Sequence, residues 1–244
     1  MAERILVVGA AGGLGYVAAE AFRNAGWSVT SLVRPGHGAR APGGSEIVEA
    51  DALDHQAVAA AARGAAVILH ALNPPYTRWS RRALPLTYSV IDAAEAAGAT
   101  LLFPGNLYNY GSPLPAVIDE ATPMHPTSRK GQLRIIIEQR MAEAVERGLR
   151  ASFGFPGHAV TGREFTAAIT RAAGRELALK PMTWWLIHLG RLVVPMCREL
   201  SEIAYLWREP HRIDGTKLAA AISDVPHTPL DAAVRDALRD LAIG

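Results

Sequence analysis

The 244-residue chain is 50% hydrophobic with a formal charge of +2, enough apolar material for a full core at a charge close to balance. Its 25 basic residues include only three lysines, Lys130, Lys180 and Lys217, and the arginines are scattered, which argues against a nucleic-acid-binding patch. The single cysteine, Cys197, excludes an internal disulfide and suits a reducing, cytoplasmic setting.

Glycines 9, 12, 13 and 15 interrupt the apolar N-terminus, which therefore reads as mature fold and not as a secretory signal. Short apolar runs predict strands at Arg4–Val8, Ser28–Val33, Glu46–Glu49, Val67–His70 and Thr100–Phe103. Between them, Ala-rich periodic stretches predict helices at Gly13–Ala25, Asp54–Ala62, Pro85–Ala97 and Ser128–Arg147. Near-continuous apolar strands separated by helices specify a parallel sheet covered on both faces, and the right-handed crossover makes it doubly wound. "RPGHGARAPGG" (34–44) is a surface loop.

"RASFGF" (150–155) offers one more short strand, after which helices dominate. Thr161-x-x-Glu164 has capping-box spacing and predicts a helix over 162–173. Asp214 and Thr228-Pro229 mark two later helix starts. "WWLIHLGRLVVPMC" (184–197) is too short to span a bilayer and carries His188, Arg191 and Pro195. It reads as a helix buried in the core or lying over a cleft, with membrane association the weaker reading.

The fold class is thus α/β, a Rossmann-like doubly wound parallel sheet with a helical C-terminal part. Residues 1–150 form the nucleotide-binding part, and 151–244 form a strand plus a helical cover packed with it as one unit. Gly9-x-x-Gly12-x-x-Gly15 follows a strand and opens a helix. Its glycines allow a tight turn, close approach of a pyrophosphate and close helix–strand packing, while the helix N-terminus offers N–H groups to the anion. An acid at the end of the second strand would bond the ribose hydroxyl of NAD; Arg34 stands there and suits the 2′-phosphate of NADP. NADP is therefore favoured over NAD, although a solvated arginine is the competing reading. Asp51 either contacts the adenine edge or is a loop aspartate ahead of the Asp54 cap.

"VVGAAGGLG", "LVRP", "EADALD", "HALNPP", "LYNYG" and "IDEATPMHP" together resemble the extended short-chain dehydrogenase/reductase superfamily, the NAD(P)-dependent epimerase/dehydratase-like proteins. The resemblance covers about the first 150 residues. It implies a cofactor set of Gly9, Ala11, Gly12, Gly13, Leu14, Gly15, Arg34, Asp51, Ala71 and Asn73. In that family a Ser or Thr and a Tyr-x-x-x-Lys pair carry the proton chemistry. Here Asn106 stands at the Ser/Thr position, Lys130 at the tyrosine and Arg134 at the lysine.

Positions 130 and 134 share one helix face. Arg134 can bond ribose or phosphate, but a permanent cation is a poor proton carrier. Lys130 can act as an acid only if its surroundings lower its pKa. Asn106 can polarise a carbonyl but cannot exchange a proton. The competing reading makes 130 and 134 the exposed face of an amphipathic helix whose apolar side carries Leu133, Ile136 and Ile137. Tyr108 is the second choice of proton donor, and Tyr110 is a packing residue.

The family also has several tens of further residues before the late helices. Here the chain passes almost directly into "FPGHAVTG", so either it is a shortened member or a segment is absent, and in both cases the resemblance does not extend to the substrate wall.

Arg78, Arg81 and Arg82 read as a solvated loop, or else meet an acidic substrate, with Trp79 folded back. Trp184, Trp185, Tyr205 and Trp207 read as core, or else as a pocket or dimer surface. The histidines lack metal-ligand spacing and no G-x-S-x-G elbow occurs, so neither a metal site nor a serine hydrolase is expected.

The leading expectation is an NAD(P)-dependent oxidoreductase or epimerase-like enzyme acting on a small carbonyl or hydroxyl compound. The alternative is a catalytically silent NADP(H)-binding redox sensor or regulatory protein. A small-molecule substrate is the expected partner, with neither nucleic acid nor membrane. A homodimer through helices 85–97 and 128–147 would match the family.

Overall fold

The computed structural model describes residues 2–152, 154, 156–178, 180–222 and 225–240. In chain order the elements are β1 (Arg4–Val8), α1 (Gly13–Asn24), β2 (Ser28–Val33), β3 (Glu46–Glu49), α2 (His55–Ala62), β4 (Val67–His70), α3 (Trp79–Ala97) and β5 (Thr100–Leu102). There follow β6 (Val117–Ile118), α4 (Arg129–Glu146), β7 (Ala151–Ser152), α5 (Gly162–Ala173), α6 (Trp184–Gly190), α7 (Pro195–Ser201), β8 (Arg212–Ile213), α8 (Thr216–Ala221) and α9 (Leu230–Asp240). Two compact units result, one from 1–112 with 124–154 and the other from 113–123 with 155–244.

The first unit holds a six-stranded sheet in the order β3-β2-β1-β4-β5-β7, parallel throughout. In β1, Ile5, Leu6, Val7 and Val8 are all fully buried. Because successive strand residues face opposite sides, Ile5 and Val7 join a core with Ala19 of α1, while Leu6 and Val8 join one with Val58, Val90 and Ile91. Both faces are covered, which is why the run is continuously apolar. Asp54 caps α2 by accepting from the Gln56 and Ala57 N–H groups at 3.0 and 3.1 Å. Ser128 caps α4 by accepting from Gly131 N–H at 3.0 Å.

Three expectations need correction in this unit. α3 begins at Trp79, six residues before the expected start, and carries Pro85 inside it. Proline removes one helical N–H, but buried Trp79, Ala83 and Leu86 on the core side hold the first turns together. The fifth strand ends at Leu102, and the expected strand at 150–155 is β7, two residues long; Phe153 and Phe155 lie outside the described residues.

In the second unit, β6 and β8 pair in parallel. The Thr161–Glu164 capping box forms as its spacing predicts. α5 packs on α9, with an Arg171–Asp231 ion pair of 2.6 Å between them. Residues 184–197 differ from expectation. They form two short helices, α6 and the start of α7, and Trp185, Leu189, Leu192 and Val193 are exposed rather than buried. Of the late aromatic set, Tyr205 is buried and Trp184 half-buried against Trp207, with ring centroids 5.6 Å apart. No helix among the described residues is long and apolar enough to cross a membrane.

Candidate active site in the first unit

The strand order reverses between β1 and β4, so the loops after these two strands diverge and open a crevice at the carboxyl edge of the sheet. Gly9 enters the first loop at φ +100°, and its N–H donates to Leu32 O at 2.9 Å. A Cβ on Gly9 would meet the Ala71 carbonyl at 3.0 Å, and one on Gly15 would fall within 3.0 Å of the Gly9 backbone. These two glycines are required by packing. Gly13 is different: a Cβ there meets nothing within 4 Å, and at Gly12 it meets only Gly9 O at 3.4 Å.

Gly12 caps α1 without a side chain, and the first turn carries no acid. No side chain therefore caps the start of this 12-residue helix, and the space at Gly13 is open, the arrangement a dinucleotide pyrophosphate needs. The residues present fit that group. Ala11, Gly12, Gly13 and Leu14 would hold it, and Ala71 abuts Gly9.

Arg34 follows β2 directly and is exposed, with no ion pair among the described residues. The turn that carries it is clamped by Glu49, whose carboxylate accepts from the Gly36 and Gly38 N–H groups at 2.9 and 2.8 Å. These two bonds hold the Glu49 carboxyl below the usual carboxylate range. Asp51 accepts from Leu53 N–H at 3.1 Å and pairs with Arg82 at 3.4 Å. Arg82 is thus not simply solvated. Asn73 Oδ1 accepts from Trp79 Nε1 at 2.9 Å, so the Trp79 ring is folded back as expected.

Around Tyr108 the chain gathers side chains from three elements. Tyr108 OH lies 2.9 Å from Tyr76 OH. The Trp79 ring packs edge-on to Tyr108 at 5.8 Å, and Lys130 Nζ stands 5.2 Å from the centre of the Tyr76 ring. Gly131 makes this convergence possible, because any Cβ there would overlap the Tyr108 carbonyl, so the first turn of α4 can press against the 104–110 loop. Asn106 Oδ1 accepts from Tyr108 N–H at 3.1 Å, leaving its Nδ2 donors unpartnered among the described residues. The sequence does not single out Tyr76 as a site residue, since no spacing rule links positions 76, 108 and 130.

Lys130 and Arg134 are 1% and 3% exposed, which overturns their reading as a solvated helix face; Ile136, expected on the apolar side, is 41% exposed. Arg134 is held on three sides. Its Nε donates to Glu138 Oε1 at 2.8 Å, another guanidinium nitrogen donates to Pro104 O at 2.9 Å, and Phe103 stacks at 4.1 Å. Burial works against the guanidinium charge and Glu138 supports it. Glu138 in turn accepts from Asn109 Nδ2 at 3.1 Å. Tyr110 is half-buried.

At the end of β4, His70 is buried against Phe103, with ring centroids 4.8 Å apart. Thr87 Oγ1 donates to Ala83 O, so the 3.1 Å contact with His70 makes Nε2 the protonated nitrogen. Nδ1 has no partner among the described residues. Burial, helped by the Arg134 charge, pushes this imidazole down to about 4. No group of three or more metal-ligating side chains occurs among the described residues.

Three comparisons bear on this crevice. A 3-diazoavenalumate denitrifying reductase from a Streptomyces species is 35% identical over 135 residues, half of this chain and 44% of the relative, so the match spans under half of that protein. UDP-glucose 4-epimerase from Brucella ovis, solved with NAD, matches with 23% identity and a TM-score of 0.57, covering 73% of this chain and 63% of that one. A nucleoside-diphosphate-sugar epimerase from Staphylococcus aureus matches with 13% identity and a TM-score of 0.63, covering 95% and 99%. Both structures share the Rossmann-like fold that the sequence resemblance implies. The NAD(P)H-binding family model matches residues 9–145, from the first loop glycine to the end of α4, and with the open glycine cradle of α1 this establishes that the chain belongs to the NAD(P)H-binding family.

Proposed function

We propose that the chain is an NADP(H)-dependent oxidoreductase acting on a small carbonyl or hydroxyl compound, with Tyr108, Tyr76 and Lys130 doing the proton work. The observation that carries this reading is the 2.9 Å contact between the two phenols beside a buried lysine. When bound, the nicotinamide supplies or accepts the hydride. Tyr108 donates its proton to the substrate oxygen, and Tyr76 returns one to Tyr108 across their hydrogen bond. The Lys130 ammonium stabilises the phenolate form of the pair. Asn106 offers its free amide donors to the substrate oxygen, and Arg34 binds the 2′-phosphate.

One observation favours the catalytically silent alternative. Arg134, which stands where the family's ribose-binding lysine would be, is engaged by Glu138 and Pro104. A screen of carbonyl compounds with NADPH, followed by its absorbance, separates the two. The enzyme reading expects turnover, with Tyr108→Phe and Lys130→Met each lowering kcat about a hundredfold or more at little-changed NADPH affinity. Binding without turnover of any compound supports the silent protein instead. An aryl diazo compound, the substrate type in the Streptomyces relative's name, belongs in the same screen. Such a group accepts hydride at nitrogen without a proton donor, so its turnover undiminished in Tyr108→Phe would mean that the phenols take no part in reducing that substrate.

A further inference from the structure

α6 and α7 pack together as a short hairpin whose link, residues 191–194, is the most exposed apolar part of the second unit among the described residues. Leu192 and Val193 are 80% and 81% exposed, and Leu189 and Trp185 on α6 follow at 63% and 66%. The hairpin is nonetheless built rather than frayed. Val194 N–H donates to Gly190 O at 2.8 Å, and Gly190 lies close enough to Cys197 that a Cβ would meet its sulfur at 3.1 Å. At its base Trp184 packs on Trp207, and the Arg208 guanidinium stands 5.2 Å over the Trp184 ring. A contiguous apolar surface fixed in this way marks an interaction site.

The charges say what covers it. From Leu177 to Arg198 the sequence contains no acidic residue, while Lys180, Arg191 and Arg198 are all exposed. The next acid, Glu199, is largely buried and approaches Arg198 at 3.6 Å. The segment 177–198 is therefore apolar at its exposed link, cationic in all its charged side chains, and has Trp185 exposed on α6. A second copy joined by a two-fold axis would bring this cationic face against itself, which like-charge repulsion opposes. An interfacial lipid layer accepts every part of it: acyl chains for the link, the carbonyl region for Trp185, and anionic phosphates for the cations.

We infer that the α6–α7 hairpin docks this chain on the surface of an anionic phospholipid bilayer. The link enters the headgroup boundary without crossing the bilayer. It takes up the weaker of the two sequence readings of 184–197, and it is independent of the reaction proposed above.

The test is flotation of the full chain with vesicles of phosphatidylcholine alone or mixed with phosphatidylglycerol, at low and high salt. The chain is expected to float with the mixed vesicles, far less with phosphatidylcholine, and less again at high salt. Arg191→Glu should lower partitioning to the anionic vesicles about fivefold or more, and Leu192→Glu with Val193→Glu should abolish it. All these side chains are exposed, and unchanged melting of the variants shows that they fold. A chain that stays with the bulk solution in every case overturns the proposal. So does concentration-dependent dimerisation lost in Leu192→Glu/Val193→Glu without flotation of the parent, which would assign the face to a second copy.

Discussion

At the scale of single residues, the glycine loop separates two requirements that a motif merges. Gly15 is glycine because α1 lies against the Gly9 backbone, whereas the Gly13 position is open. Gly15→Ala places a methyl against backbone that cannot yield without moving α1 off β1, so it should destabilise the fold by about 1–3 kcal/mol in urea unfolding. Gly13→Ala should leave unfolding unchanged but weaken NADPH binding about tenfold, because the methyl would stand at the proposed phosphate seat on the start of α1. Equal NADPH affinity in Gly13→Ala and the parent would remove the pyrophosphate from this loop. The cradle was legible in the sequence because strand, glycines and helix are contiguous. Tyr76 was not, because the 3-10 turn that carries it and the 104–110 loop meet only through tertiary packing.

At the scale of elements, β1 to β4 span the residues that their β-rich runs predict. The early start of α3 was hidden by Pro85, which reads locally as a first helical residue. β6 and β8 are two residues each and pair across the sequence, so no periodicity announces them. α4 shows the same limit in its side chains, since a polar-looking face turned out to be buried around Glu138. Arg134→Met tests what that face does. It leaves the Glu138 carboxylate and the Pro104 carbonyl without their cation, and a broken buried pair costs about 3–5 kcal/mol. Stability should fall by that order, with residual folded protein binding NADPH normally. Unchanged stability with weakened NADPH binding would instead give Arg134 the ribose or phosphate role that its sequence position suggested.

At the scale of the whole molecule, the centre of the sheet governs how the fold responds to acid. His70 ends β4 and is 3% exposed, between Phe103 and Thr87, with its imidazole pushed down to about 4. Unfolding releases it to an ordinary imidazole near 6.5, so between these values the unfolded chain binds a proton that the folded chain does not. The stability it confers is whole above about pH 6.5 and is lost as the pH falls toward 4, amounting to about 3 kcal/mol across the window. The unfolding free energy should therefore decline steeply from pH 7 to 4.5. His70→Asn, which cannot titrate, should be less stable at neutral pH but should decline less over the same range. The sheet is one cooperative layer, so the loss should register in global unfolding and not in fraying of one strand. Parallel pH profiles for the two proteins would mean that the acid sensitivity lies in the carboxylates held by backbone N–H groups, such as Glu49 and Glu164, whose lowered pKa values act in the same direction but at lower pH.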